Sequence, residues 1–366
     1  MKEKNSKKQL EIPVKTIRIG KDLNIYEKTK NSWKISNKKF TNAFEVIKLF
    51  KAHNQFNQLI DLKDSRFLKG FLLPDGKIRG ARINILPNGD ILDKAYSIFA
   101  NNLTVHSESS DNHWDVIYQN PNGKYAYLYS LKDKKKAIRN KFKKVENFEK
   151  KYSILNKNVL NSIKNKQDSM AIPMYTLLKT YMRVGNEIYY KADGHKGLTT
   201  LKKSDISIKG NQVTFDYKAK DGVPMKITEE FPKDYIKRLN EKIKSLKNSD
   251  FIFTDENKKP LKDTSFMNAF EKYCGEKFYP HIVRSFYATK TSEEFLKNHK
   301  NKKATKQEVK ELFTEIAEKL GHKRFSKKDN EWKDNYNVTI HHYLNPQILD
   351  KINSITETKN KTFIKN

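Results

Sequence analysis

The sequence is poor in cysteine, in arginine and in acid. Cys274 is the sole cysteine among 366 residues. No internal disulfide framework can form, no cysteine-based zinc site can be assembled, and a reducing compartment is expected. No apolar run approaches the roughly 18 residues that a membrane span needs. The opening stretch "MKEKNSKKQLEIPVK" is basic but has no apolar core, so it does not read as a secretory signal. A P-loop, a dinucleotide fingerprint, a His-Glu-x-x-His pair and a paired-carboxylate motif are all missing. ATP-driven and metal-dependent chemistry therefore lack support, and no cofactor is expected.

Asp and Glu total 43 against 74 Lys and Arg, a formal net charge of +31. A chain this basic is expected to meet a polyanion, and nucleic acid is the commonest one. The basic residues divide into 65 lysines and 9 arginines. Such a skew often follows an AT-rich genome, so part of the lysine excess can be codon bias. The net sign still calls for a partner. The scarcity makes each arginine informative, because the planar guanidinium fork suits bidentate phosphate contacts where lysine gives a point charge. Hydrophobic residues make up 36%, enough for a core, and the length points to about two domains.

Residues 1–12 read as a disordered basic arm. Residues 13–142 read as a β-rich domain. Short apolar runs such as "KTIRIG", "ARINIL", "WDVIYQ" and "YAYLYSL" alternate with the turns "PDG", "PNGD" and "NPNG". A helical segment, "NAFEVIKLFKAHNQF", interrupts them. Residues 131–152 are densely cationic and read as a junction followed by a helix. A solvated face is the bland reading of such a run. Its place between two domains also suits contact with DNA, with Lys134, Lys135, Lys136, Arg139 and Lys141 as candidates.

Residues 143–366 read as a mainly helical domain with a small sheet. "SMAIPMYTLLKTYMRVGNEIYYK" carries apolar residues at helical spacing from 170 to 182. "DISIKGNQVTFDYKAKDGVPMKITEEF" reads as three strands with turns at 210–211 and 220–222. "TSFMNAFEKYCG", "PHIVRSFYATKTSEEFLKN" and "TKQEVKELFTEIAEKLG" read as helices. Gly321 is a natural C-cap, which puts His322 just past a helix end. No internal repeat is present. The fold class is α+β.

Five residues of the second domain carry a chemical idea jointly, although each has an ordinary reading alone. Arg183, late in a helix, could pair with Glu187 at the surface. Lys220 is one lysine of many. Arg284 and His281, three residues apart, could be a surface arginine and a capping histidine. His322 could be structural, and Tyr343 a core aromatic. Together, two arginines and a histidine can neutralise the non-bridging oxygens of a phosphodiester in its transition state. A lysine can protonate the departing oxygen, and a tyrosine can attack phosphorus and hold the cleaved strand. The bond energy is then conserved without ATP or metal.

At these residues the sequence resembles the type IB DNA topoisomerases, in the small poxvirus-like and bacterial branch. "DVIYQNPNGKYAYLYSLKDKKKA" resembles the end of that family's N-terminal domain. "RVGNEIYYKADGHKGLTTLKKSDI" resembles its most distinctive stretch. "YKAKDGV" is similar to its catalytic-lysine hairpin, and "YLNPQILD" to its tyrosine segment. The match runs from about 113 to 350. The resemblance implies Arg183, Lys220, Arg284, His322 and Tyr343 as the catalytic set, and a C-shaped clamp around double-stranded DNA. It implies a 3′-phosphotyrosyl link, a free 5′-hydroxyl, no cofactor, and action as a monomer. The expected location is the cytoplasm, at the nucleoid, or whatever viral or host compartment holds the DNA. His281, Lys323 and Arg324 join the candidate DNA contacts.

The chain departs from the family in places: the first 110 residues match it poorly and name no DNA contacts of the N-terminal domain, and the spacing near the C-terminus is long. Tyr343 follows His322 by 21 residues, and "KRFSKKDNEWKDNYNV" reads as an inserted basic loop. It holds a rival tyrosine, Tyr336, and Lys218 is likewise a rival to Lys220. Two other readings stay open. A tyrosine recombinase shares this chemistry, and "PHIVR" is its His-x-x-Arg pattern, which would make His281 catalytic. A strand-rich first domain argues against it. A non-catalytic basic DNA-binding protein would show the same steep salt dependence of binding, so covalent chemistry is what separates them.

Overall fold

A computed structural model describes residues 12–107 and 114–357. The expected arm, residues 1–12, lies outside this range but for Ile12. The chain divides into two compact units, residues 1–140 and 141–366.

The first unit is built from short antiparallel strands. β1 (Ile17–Ile19), β2 (Ile25–Lys28), β3 (Trp33–Ile35), β4 (Phe71–Leu72) and β5 (Ile78–Arg79) form one sheet in the order β3-β2-β1-β4-β5. β6 (Ile83–Ile85) pairs with β7 (Ile91–Tyr96), and β8 (Asn101–His106), β9 (Asp115–Gln119) and β10 (Tyr125–Tyr129) form a three-stranded sheet. The single-residue alternation of β-structure sorts its side chains: Leu128 enters the core while Tyr125, Tyr127 and Tyr129 face out. Helix α1 (Thr41–Ala52) buries Ala43, Val46, Ile47 and Phe50. They join Ile19, Leu59, Leu68, Tyr96 and Val116 in one apolar cluster. One arginine is buried here, and it is neutralised: Arg18 Nη2 donates to Asp61 Oδ2 at 2.5 Å.

Helix α2 runs unbroken from Leu131 to Ser162. The expected junction is therefore not a loop before a helix. The division between the units falls inside a helix whose stripe of Phe142, Val145, Phe148, Leu155 and Val159 is buried. Phe148 meets Phe270, Phe278 and Phe286 edge-on at 5.8, 5.1 and 5.2 Å, a favoured aromatic geometry.

The second unit then continues with α3 (Ala171–Thr180), α4 (Glu187–Asp193) and the antiparallel sheet β11 (Ile206–Lys209), β12 (Gln212–Lys218) and β13 (Pro224–Glu230). Next come α5 (Lys233–Lys244), α6 (Asp263–Cys274), α7 (Ile282–Asn298) and α8 (Lys306–Leu320). α8 opens with a capping box between Thr305 and Glu308 and ends on Gly321 at φ 67°, the left-handed position that suits glycine. Two short strands, β14 (Lys323–Ser326) and β15 (Glu331–Asp334), precede α9 (Asn337–His342) and α10 (Pro346–Ile355). The expected inserted loop is thus largely a hairpin, closed by a contact between Phe325 and Trp332 at 5.4 Å. α7 to α10 share one apolar cluster that includes Leu312, Phe313, Ile316, Ile340, Leu344 and Ile348. Among the described residues no helix is long and apolar enough to cross a membrane.

Candidate active site

Arg183 is not late in a helix. α3 stops at Thr180 because Tyr181 turns left-handed at φ 55°, and Arg183 lies in the irregular stretch that follows. Two glycines make this stretch possible. A Cβ on Gly197 would stand 2.6 Å from both the Arg183 carbonyl oxygen and the Gly185 nitrogen, so the two backbones pass only because neither residue has a side chain. Leu198 N–H then donates to Arg183 O at 2.8 Å, and Thr199 N–H to Val184 O at 2.7 Å. The "RVGN…GLTT" pattern is therefore a device for holding Arg183 on rigid, non-helical backbone.

Arg284 comes from the first turn of α7 and is 2% exposed. Its Nη1 donates to Tyr181 O and its Nη2 to Leu320 O, both at 2.7 Å. Its Nε is buried with no partner. No ion pair to Arg284, Arg183 or Lys220 occurs among the described residues, in contrast with the neutralised Arg18. A buried guanidinium without a counter-ion is costly. Burial accordingly lowers its pKa from the ordinary value, with Arg183 adding to the effect. Such a site is prepared for an anion.

His322 follows Gly321 and is 6% exposed. Arginine can only donate, so the 3.1 Å contact from Arg284 Nη2 makes His322 Nε2 the acceptor. The proton then belongs on Nδ1, which donates to Thr339 Oγ1 at 2.8 Å. This tautomer is assigned from the network. Burial, then Arg284 and Arg183, hold the His322 pKa down at about 3, so the ring is neutral.

Tyr343 is 3% exposed and sits at the end of α9. Its Oη accepts from Arg183 Nη2 at 3.1 Å and lies 2.7 Å from His281 Nε2. Burial, then Arg284 and Arg183, push His281 to about 3 as well. In the tautomer with its proton on Nδ1, the neutral His281 ring accepts the tyrosine proton at Nε2. The Arg284 guanidinium lies 5.1 Å from the Tyr343 ring centre, and the His322 ring centre 4.7 Å from it.

Lys220 stands on the turn between β12 and β13, where Asp221 takes φ 61°. With Arg183, Arg284 and His322 it lines a cavity of about 120 Å³. Lys218 does not line it. Trp332 of β15 reaches this turn, 3.9 Å from where a Cβ of Gly222 would be. Tyr336, the rival tyrosine, caps α9 and packs near Phe313 at 6.2 Å, away from the cations.

The structure thus brings together Arg183, Lys220, Arg284, His322 and Tyr343. Of the expected DNA contacts, His281 and Lys141 are turned onto Tyr343 and Lys323 lines the cavity. Arg324 is exposed on the hairpin, and Lys134, Lys135, Lys136 and Arg139 are exposed on the part of α2 that belongs to the first unit. Lys134 pairs with Asp93 at 3.1 Å. Three contributors have no reading in the sequence: Thr339, Trp332 and the contact of Lys141 with Tyr343. Thr339 had one available signal, its place four residues before Tyr343, which on a helix makes them neighbours.

Residues 130–354, more than half of the chain, match the family described as eukaryotic DNA topoisomerase I, catalytic core. A relative in Acanthamoeba polyphaga mimivirus, described as DNA topoisomerase 1B, is 26% identical over 216 residues. The match covers 55% of this chain and 64% of that protein, so the chain spans under two thirds of the relative's length. A solved structure, the XerH site-specific recombinase bound to difH substrate in a pre-cleavage complex, overlaps 55% of this chain and 52% of its own. Its identity is 17% and its TM-score 0.34, too low a likeness to carry an argument. The family match and the site geometry agree, and the chain belongs to the DNA topoisomerase I catalytic-core family, the type IB topoisomerases.

Proposed function

We propose that this protein relaxes supercoiled duplex DNA by cutting and resealing one strand through Tyr343, as a monomer and without ATP or metal. The observation that carries the reading is the setting of the Tyr343 hydroxyl. It lies between a guanidinium that donates to it and a neutral imidazole placed to take its proton, beside a buried arginine with no counter-ion.

The step balances as follows. Tyr343 Oη attacks phosphorus and its proton passes to His281 Nε2. The bond from phosphorus to the 5′-oxygen breaks, and Lys220 protonates that oxygen. Arg183 and Arg284 carry the charge on the non-bridging oxygens. Burial first, and then the nearby arginines, keep His322 neutral; an entering phosphate offsets the cationic part, which favours a proton on Nε2 that donates as well. The product is a 3′-phosphotyrosyl link and a free 5′-hydroxyl. The uncut strand lets the duplex swivel, and the hydroxyl then re-attacks in the reverse of the first step. Guanidinium groups and imidazole supply the positive charge that a metal would otherwise bring.

The placement of His281 against Tyr343 also suits a tyrosine recombinase. The strand-built first unit and the family match favour the topoisomerase. The test is relaxation of positively and negatively supercoiled plasmid in EDTA without ATP, comparing wild type with Tyr343→Phe. Relaxation of both by wild type alone supports the reading. Binding without relaxation by wild type returns the recombinase or a non-catalytic DNA-binding protein.

A further inference from the structure

Lys141 belongs by charge to a stretch expected to face phosphate, yet its side chain is half-buried and turned elsewhere. Its ammonium donates to the carbonyl oxygen of His342, the residue before Tyr343. The same ammonium lies 5.3 Å from the centre of the Tyr343 ring. The His342 carbonyl is in the last turn of α9, where helix carbonyls lack internal partners and a cation is favoured. Burial lowers the pKa of Lys141 from the ordinary lysine value. No ion pair offsets that burial among the described residues; the contacts recorded for the ammonium are the carbonyl, the Tyr343 ring and the Phe142 ring.

We propose that Lys141 is a positioning residue for the nucleophile: its ammonium fixes the main chain that carries Tyr343 and sets a cation against the Tyr343 ring. The inference rests on Tyr343 being the nucleophile. The groups that face Tyr343 come from several elements. Arg183 comes from the stretch after α3, His281 caps α7 and Arg284 lies in its first turn, His322 follows the end of α8, and His342 precedes it in the chain. Arg183 and His281 hold the hydroxyl, and Arg284 and His322 lie against the ring. Lys141 adds a cation to the ring and also holds the backbone.

The test uses the full chain with wild type, Lys141→Met and Lys141→Arg. Two quantities are read: the rate of plasmid relaxation at saturating enzyme, and noncovalent plasmid binding in a Tyr343→Phe background. A thermal melt of each variant shows that it is folded. Lys141→Met keeps the aliphatic stem and removes the charge. The expected result is a loss of roughly tenfold in the rate at saturation, recovery of most activity in Lys141→Arg, and binding within about twofold. Weakened binding with an unchanged rate at saturation would instead make Lys141 a phosphate contact and overturn the proposal. A loss of rate not recovered by arginine would reduce Lys141 to a packing role and overturn it too. Covalent adduct persisting in Tyr343→Phe would bring down the nucleophile reading itself, whatever Lys141 does.

Discussion

His281 Nε2 and the Tyr343 hydroxyl lie 2.7 Å apart, on residues 62 positions apart in the chain. The contact places a neutral imidazole on the hydroxyl that Arg183 also holds. Tyr343→Phe removes the oxygen and leaves the ring in its packing. Plasmid binding is expected to stay within about twofold of wild type, while strand cleavage is lost. Trapping the covalent adduct with detergent checks this. Adduct remaining in Tyr343→Phe and vanishing in Tyr336→Phe would transfer the role to Tyr336.

Arg284 and Arg183 are preorganised by backbone carbonyls, by a phenol and by a glycine-permitted crossing. Lysine keeps the charge at either position but loses the fork. Arg183→Lys and Arg284→Lys are each expected to slow cleavage by roughly a hundredfold or more, measured in a single turnover. A loss under about tenfold at either would take that residue out of the site. Added sulfate should raise the melting temperature of wild type more than that of Arg284→Met, because the uncompensated guanidinium is the group an anion would satisfy.

His281 and His322 both have folded-state pKa values near 3, below the ordinary 6.5. The unfolded chain therefore binds more protons between about pH 6.5 and 3, and stability falls as pH drops through that window. Between pH 7 and 5 each histidine is expected to remove on the order of 1–2 kcal/mol. A melt of His322→Asn at both pH values checks the sign: the variant should lose less melting temperature on acidification than wild type. An equal or larger loss would mean that His322 is not buried as a neutral ring.

Trp332 comes near the turn that carries Lys220, 3.9 Å from where a Cβ on Gly222 would stand. If Trp332 seats the general acid, Trp332→Ala slows cleavage of ordinary DNA. It should act near normally on a strand whose leaving 5′-oxygen is replaced by sulfur, since a thiolate departs without a proton donor. Lys220→Ala serves as the reference for that recovery. A Trp332→Ala defect that persists on the sulfur substrate would show that the tryptophan does not act through Lys220.

Gly321 carries φ 67°, and a Cβ there would stand 2.4 Å from Met225 Sδ. Gly321→Ala is expected to cost about 1–2 kcal/mol from the left-handed backbone alone, a fall of roughly 2–8 °C in melting temperature. His322 is the next residue, so cleavage should suffer more than stability. A variant that melts like wild type would show that the end of α8 has room to relax.

The parts of the fold that were legible in the sequence are those written in local periodicity. The α8 stripe with its cap at Gly321, the three strands around the two turns, and the turn-rich first unit all follow from spacing and glycine placement. The five candidate residues were named through a resemblance, and the fold brings them close together. The end of α3 was not, because apolar spacing continues to Met182 while Tyr181, which has no glycine's freedom, adopts the left-handed conformation through tertiary packing. The β14–β15 hairpin was hidden as well, since its strands are four residues each and mostly exposed. The contacts of Lys141 with His342, of Arg284 with His322 and of Trp332 with the Lys220 turn join distant residues, and one chain's spacing carries no trace of them.

Thr339 accepts from His322 Nδ1 at its hydroxyl and from the Tyr343 amide at its carbonyl oxygen, at 2.8 and 2.9 Å. One buried residue thereby serves as a common hinge pin for the two groups. Their separation is set across this bond pair and not along the intervening chain. The segment from Lys323 to Asn335 can then form a hairpin that brings Trp332 near the Lys220 turn and Lys323 into the cavity lining, while histidine and tyrosine keep their spacing.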